Sequence, residues 1–85
     1  MQDVKIYTTS YCPFCTRAKQ LFQAKNVVFE EIDLGNDDAL RQELVEKTDW
    51  MTVPMVFVGD TFIGGYDETC RLDATGELDR LLEAS

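Results

Sequence analysis

Cys12 and Cys15 are the residues of this 85-residue chain whose type and spacing could carry out a reaction. Two thiols separated by two residues can close a small disulfide and open it again, which is the chemistry of thiol–disulfide exchange. They flank Pro13 at the point where a β-branched run, predicted to be a strand, is followed by an amphipathic segment, predicted to be a helix. Because proline suits the first position of a helix, Cys12 is expected at or near the N-cap.

This position distinguishes the two thiols. Unpaired backbone N–H groups and the positive end of the helix dipole favour a thiolate at Cys12, and the thiolate is the form that attacks disulfides. Cys15 lies about one helical turn further along the chain and is expected to be more shielded from solvent. The pattern therefore predicts that Cys12 is the attacking nucleophile and Cys15 the resolving thiol.

A single C-x-x-C could also be half of a zinc site or a structural disulfide. A zinc site of this type needs four ligands, but the chain has no histidine and a single further thiol, Cys70. Structural disulfides are typical of secreted proteins, and residues 1–10 do not resemble a signal peptide. We therefore expect no metal ligands, a redox role for the pair, and a buried structural thiol at Cys70.

Composition and charge narrow the class of protein. The chain is 45% hydrophobic and 28% charged, as in soluble globular proteins, and no apolar run approaches the about 20 residues that a membrane span needs. A net charge of −8 argues against nucleic acid as a partner. Residues 1–29, however, carry four basic and one acidic side chain, so the cysteine pair lies in a net-basic segment that could attract an anionic substrate.

Hydrophobic periodicity predicts the order βαβαββα within one domain, residues 1–85. Strands are expected at residues 4–8, 27–33, 55–58 and 61–63, a turn at residues 35–38, and helices at residues 13–25, 40–47 and, as one or two segments, 67–82. A helix between the first two strands indicates a parallel βαβ unit, and Gly59-Asp60 indicates an antiparallel hairpin. The predicted fold class is α/β, with a four-stranded mixed sheet and flanking helices.

Three motifs follow one another along the chain: Cys12-Pro13-Phe14-Cys15 at a helix start, Thr52-Val53-Pro54 before the hairpin, and Gly64-Gly65-Tyr66-Asp67 after it. In this order and spacing they resemble the glutaredoxins over nearly the whole chain. The resemblance implies a thioredoxin-like fold and a glutathione-dependent oxidoreductase that reduces protein disulfides and mixed disulfides of proteins with glutathione. It also implies a reducing, cytoplasmic compartment, glutathione as the electron donor, and no permanently bound cofactor.

The resemblance further implies a set of glutathione contacts. In the family the bond before the proline of T-V-P is cis, so Val53-Pro54 is expected to be cis, with the backbone of Val53 turned toward the cysteines. Asp67, with Glu68, would take the ammonium of the γ-glutamyl end, and Arg41 would take the glycine carboxylate. The other contacts implied are Thr9, Tyr11, Phe14, Thr52, Pro54, Gly65 and Tyr66.

Two of these residues could have simpler roles. Arg41 could be a solvated surface arginine, since arginines on exposed helix faces are common. Asp67 could be only a helix N-cap.

Two other functions stay open. Many relatives carry lysine where this chain has Thr9, and often a basic residue where it has Trp50 and Met51, so an electron donor recharged by thioredoxin reductase is conceivable. The second alternative is a dimer that holds an iron–sulfur cluster through Cys12 and two glutathiones. Pro13 argues against such a site by stiffening the loop, and a monomer without membrane or nucleic-acid partners is expected.

Overall fold

Four strands and four helices make up the part of the chain that the computed structural model describes, which is residues 2–9, 12–35 and 37–83. The strands are β1 (Val4–Thr8), β2 (Phe29–Asp33), β3 (Met55–Val58) and β4 (Thr61–Gly64). The helices are α1 (Pro13–Ala24), α2 (Asp38–Thr48), α3 (Tyr66–Thr75) and α4 (Glu77–Glu83). The predicted order is confirmed, with its last helical region divided at Gly76, whose φ of 83° ends α3.

The sheet has the strand order β2-β1-β3-β4. β1 and β2 are parallel, whereas β3 is antiparallel to both β1 and β4, as the βαβ unit and the hairpin predicted. The carboxyl ends of β1 and β2 therefore meet the amino end of β3, where Met55 pairs with Tyr7. Because α1 starts after β1 and α3 starts after β4, this one edge of the sheet collects the cysteine motif, Pro54 and the beginning of α3.

Each face of the sheet has its own hydrophobic core, as expected from the alternation of side chains along a strand. On one face Ile6 and Val56 pack against Phe22 of α1 and Leu78 of α4. The opposite face holds a smaller cluster, made of Leu34, Leu44, Met55 and Phe57. Helices on both faces thus hold the site-bearing edge in place.

The second strand is shorter than predicted. The Val27 N–H donates to the Phe22 carbonyl at 3.0 Å, so Val27 belongs to the turn that closes α1, and its side chain is buried in the core. Asn26 in the same turn has a φ of 58°. Val28 is 90% exposed, and pairing with β1 starts only at Phe29.

The turn predicted at residues 35–38 leads into α2. The Asp37 carboxylate accepts a hydrogen bond from the Leu40 N–H at 3.0 Å and so caps the helix. Asn36, part of the predicted turn, lies outside the described residues. Within the described ranges, no helix has the length and apolar character needed to cross a membrane.

Lys25 links the end of α1 to the C-terminal helices and provides a test of stability. Its Nζ lies 2.7 Å from Asp73 Oδ1 and 2.9 Å from Asp79 Oδ1. These hydrogen bonds, that to Asp73 first, raise the pKa of Lys25. The stabilisation is therefore present below the ordinary lysine pKa of about 10.4 and is lost as the pH rises through the folded-state pKa.

Lys25→Met should accordingly lower the free energy of unfolding by about 1 kcal/mol at neutral pH, as is typical of partly exposed ion pairs. The difference from the parent protein should shrink in strongly alkaline solution. Urea unfolding at neutral and alkaline pH measures both effects. Equal stability of the two proteins at neutral pH would show that the ion pairs contribute nothing.

Candidate active site

Cys12 is the N-cap of α1, with an extended backbone at φ −99° and ψ 109°. Its carbonyl accepts hydrogen bonds from the N–H groups of Cys15 at 3.1 Å and Thr16 at 3.3 Å, which form the first turn of the helix. Pro13 occupies the first helical position, and the Cys12 side chain is partly exposed. The predicted N-cap position is confirmed, and it leaves the Cys12 sulfur accessible at the positive end of the helix.

Cys15 is 2% exposed, and this burial raises the pKa of its thiol to about 11. A hydrogen bond with Cys12 and the charge on Cys12 add to the rise, whereas a backbone hydrogen bond with Thr9 and the positive charge of Lys19 oppose it. At neutral pH Cys15 is therefore a protonated thiol. The accessible sulfur of Cys12 suits the attack on a substrate, and the shielded thiol of Cys15 suits the later resolving step.

The carbonyl of Val53 faces the reactive sulfur. The Cys12 thiol donates to this oxygen with Sγ and O 3.8 Å apart. The Val53–Pro54 peptide bond is cis, as the resemblance implied.

A groove of about 350 Å³ lies between the Val53–Pro54 turn and the start of α3. The backbones of Gly65 and Pro54 approach each other closely in this groove. A Cβ added at Gly65 would lie only 3.3 Å from the Pro54 carbonyl oxygen, so glycine suits this position. The structure brings eight of the predicted contact residues together in the lining of this groove: Phe14, Thr52, Val53, Pro54, Gly65, Tyr66, Asp67 and Glu68.

Asp67 is not the N-cap of α3, the simpler role considered for it from the sequence. The N-cap is Gly65, and Asp67 is an exposed residue in the first turn, so the N-cap interpretation of Asp67 was wrong. Glu68 has the capping role, since its carboxylate accepts from the Gly65 N–H at 3.1 Å. Asp67 is thus the carboxylate that this turn leaves facing solvent beside the groove.

Two predicted contacts lie elsewhere. Arg41, half-buried on α2, lines a separate hollow next to Met51. Thr9 lines a cavity on the β2 side of the cysteines. Tyr11 lies outside the described residues.

Trp50 lines the groove although the sequence marked it only as unusual. Its ring packs edge-on against Phe62, with 5.7 Å between centroids, and its buried Nε1 has no hydrogen-bond partner among the described residues. The sequence signal that could have identified Trp50 is its position two residues before Thr52, the first residue of a motif already assigned to the site.

Arg17 was also missed. Its guanidinium lies 5.5 Å from the ring centroid of Phe14, a cation–π distance, and Phe14 is 48% exposed.

Tyr66 is the next aromatic ring along the groove, 6.3 Å from Phe14. Its hydroxyl is hydrogen-bonded to Cys70, which raises the pKa of Tyr66. Cys70 is half-buried, not fully buried as predicted.

Two cysteines at a helix N-terminus, facing a cis-proline turn at one edge of a mixed four-stranded sheet, define a thiol–disulfide oxidoreductase of the thioredoxin-like fold. The glutaredoxin family model matches residues 4–63, which is more than half of the chain. The chain belongs to the glutaredoxin family and is a glutathione-dependent thiol–disulfide oxidoreductase.

Individual relatives agree with this family. The chain is 48% identical to a glutaredoxin of Pseudomonas aeruginosa over 84 residues, covering 99% of this chain and 100% of that protein. It is 42% identical to glutaredoxin 3 of Escherichia coli over 83 residues, covering 98% and 100%. A crystal structure of a buckwheat glutaredoxin–glutathione complex superposes with a TM-score of 0.89 at 32% identity, covering 93% of this chain and 74% of that one.

Proposed function

We propose that glutathione lies in the groove between the Val53–Pro54 turn and α3, with its sulfur next to Cys12. The observation that carries this proposal is the 3.8 Å contact between Cys12 Sγ and the Val53 carbonyl. A peptide joined to Cys12 through a disulfide would have its own cysteinyl backbone beside this carbonyl. Pairing of the two backbones, as in the addition of a short antiparallel strand, would aim the glutathione sulfur at Cys12.

The γ-glutamyl end of glutathione carries an ammonium and a carboxylate, and the start of α3 offers a partner for each. Asp67 is exposed beside the groove and supplies a carboxylate for the ammonium. The first N–H groups of any helix lack partners within the helix, so those of residues 66–68 can bind the carboxylate. The Glu68 carboxylate, already bonded to the Gly65 N–H, adds negative charge at the ammonium position.

The glycine carboxylate at the other end of glutathione is assigned to Arg41. Arg41 lies in the neighbouring hollow, and residues 50–54 join the two, because Met51 lines the hollow while Thr52 lines the groove. A guanidinium can bind a carboxylate through two parallel hydrogen bonds. Another positive group near the groove is Arg17, over Phe14.

The reaction follows from the two environments of the cysteines. The Cys12 thiolate attacks a substrate disulfide and forms a mixed disulfide; when the substrate is a glutathionylated protein, the mixed disulfide is with glutathione. A second glutathione then attacks and releases Cys12. When the substrate is a protein disulfide, Cys15 displaces the substrate instead, and glutathione later reduces the Cys12–Cys15 disulfide. The substrates are disulfide-containing and glutathionylated proteins, acted on by a monomer in the reducing cytoplasm.

Charge removal at Asp67 in the groove and at Arg41 in the neighbouring hollow tests this placement. Asp67→Asn and Arg41→Ala should each raise the KM for glutathione about five- to thirtyfold, the equivalent of losing one charge-assisted hydrogen bond of about 1–2 kcal/mol. Asp60→Asn is the matched control for Asp67, because Asp60 is also exposed but lies in the β3–β4 turn. Turnover of a glutathionylated peptide at varied glutathione concentration measures the KM, and parental values for both variants would exclude this binding mode.

A further inference from the structure

A second cavity lies on the other side of the cysteines from the groove. It has a volume of about 500 Å³ and lies at the ends of β1 and β2, whereas the groove lies at β3 and α3. Both Cys12 and Cys15 line it, and its charged side chains are Lys19, Glu31 and Asp33. A polar cavity of this size can hold several water molecules. The cysteine motif and Thr9 supply part of its lining, but its charged side chains belong to neither the motifs nor the predicted glutathione contacts.

An ion pair is built into this cavity. Lys19 Nζ lies 3.0 Å from Glu31 Oε2, and the Thr8 hydroxyl donates to the same oxygen at 2.9 Å. The Thr8 side chain is buried in the sheet, so its hydroxyl holds the Glu31 carboxylate in a fixed position. Hydrogen bonds from Lys19 and from Thr8 lower the pKa of Glu31, which therefore stays ionised and holds Lys19.

Lys19 is held on the face of α1 that carries Cys15. The two residues are four positions apart, which places their Cβ atoms about 5–6 Å from each other on one helix face. Glu31 comes from β2, so the lysine is tied to the sheet rather than free to extend into solvent. The two other lysine and arginine side chains of α1 do not serve this position, because Arg17 lies over Phe14 and Lys25, the C-cap, pairs with Asp73 and Asp79.

A nearby cation would favour the resolving step. To close the Cys12–Cys15 disulfide, the buried Cys15 must first lose its proton, and burial opposes the charge that forms. The charged and titratable groups of the described residues that face Cys15 are Cys12 and Lys19 of α1 and, across the cavity, Glu31 and Asp33 of β2. Once Cys12 is part of a mixed disulfide it carries no charge, and Lys19 is the one cation of this set.

We propose that Lys19, positioned by Glu31 and Thr8, lowers the free energy of the Cys15 thiolate and so accelerates closure of the Cys12–Cys15 disulfide. The Cys15 proton passes to water in the cavity, and its sulfur attacks the Cys12 sulfur. The bond between Cys12 and the substrate sulfur breaks, and the departing thiolate takes a proton from water. Two electrons pass from the enzyme dithiol to the substrate. This inference rests on the proposed function of Cys12 and Cys15, and Lys19 acts as a positioning residue.

A single turnover with glutathione disulfide separates the two proposals. Reduced protein is mixed with glutathione disulfide, quenched with acid at intervals, and the mass of the Cys12–glutathione adduct is followed. The rate at which the adduct forms measures attack by Cys12 and binding in the groove. The rate at which the adduct decays to the internal disulfide measures attack by Cys15. Absence of any reaction would therefore count against the proposed function and not against the role of Lys19 alone.

Lys19→Met should slow the decay of the adduct severalfold at neutral pH, because a smaller fraction of Cys15 is ionised when the cation is absent. The rise of the decay rate with pH should shift to more alkaline pH. Lys19→Arg should restore much of the parental rate, because it keeps the charge. Lys25→Met, which removes a lysine ion pair at the end of the same segment, should leave the pH profile unchanged. If the Lys19→Met adduct decays at the parental rate with the parental pH profile, the proposal is wrong.

Discussion

Replacing Cys12 by serine is expected to abolish both the reduction of protein disulfides and the removal of glutathione from glutathionylated substrates. Both reactions begin with attack by the Cys12 sulfur, and a serine hydroxyl at neutral pH is neither ionised nor nucleophilic toward sulfur. The loss should be on the order of a thousandfold or more, as for other covalent nucleophiles. Cys15 cannot take over, because it is 2% exposed and its pKa is raised to about 11.

Steady-state rates with glutathione, glutathione reductase and either a glutathionylated peptide or a disulfide-bonded protein measure this loss. Cys70→Ser is the matched control. Cys70 is half-buried and bonded to Tyr66, and serine keeps a hydroxyl for that bond, so both activities should stay near the parental rates. Substantial activity in Cys12→Ser, or its loss in Cys70→Ser, would show that the nucleophile has been assigned to the wrong thiol.

Cys15→Ser is expected to separate the two reactions. Reduction of protein disulfides should fall by on the order of a hundredfold or more, because no internal thiol remains to displace the bound substrate. Deglutathionylation should persist, because a second glutathione can attack the outer sulfur of the Cys12–glutathione adduct. Cys12 then departs as a thiolate. Removal of the competing internal closure should keep this rate at or above that of the parent.

The same two assays on one preparation of Cys15→Ser test this separation. Circular dichroism checks that the variant is folded, since the buried Cys15 side chain packs in the protein interior. Loss of both activities in a folded Cys15→Ser protein would contradict the division of labour between the thiols. Retention of protein-disulfide reduction would show that an external thiol performs the resolving step.

The parts of the structure that the sequence predicted are those fixed by local chemistry. Pro13 sets the start of α1 and hence the N-cap position of Cys12. The alternating β-branched residues of β1 and the turn at Gly59-Asp60 fix strand and hairpin, because a period of two and a short turn each permit few conformations. The active cysteines could therefore be assigned from spacing and context alone.

The parts that the sequence did not reveal depend on contacts between distant segments. β2 begins two residues later than its apolar run because Val27 is held in the turn after α1. The pairing of Lys19 with Glu31 joins residues 12 positions apart in the chain, and no periodicity predicts it. Trp50 reaches the groove only because the chain folds it against Phe62 and near Gly65.

The glutathione contacts were a mixed case. The motifs around Pro54 and Asp67 converge on one groove, as their resemblance to the family implied. Arg41 lies in an adjoining hollow instead, because α2 packs on the opposite face of the sheet from α1. The position of a helix relative to a groove depends on tertiary packing. The place of Arg41 relative to the groove could therefore not be inferred from its position in the sequence.

The central claim is that Cys12 takes up the glutathionyl group in a covalent adduct. The most direct measurement is the mass of the Cys15→Ser protein after reaction with a glutathionylated peptide, followed by peptide mapping of the modified cysteine. Because the adduct cannot close internally in this variant, one glutathionyl group on Cys12 is expected, and added glutathione should remove it. A protein that turns over the peptide without such an adduct, or carries the group on Cys70, would contradict the mechanism.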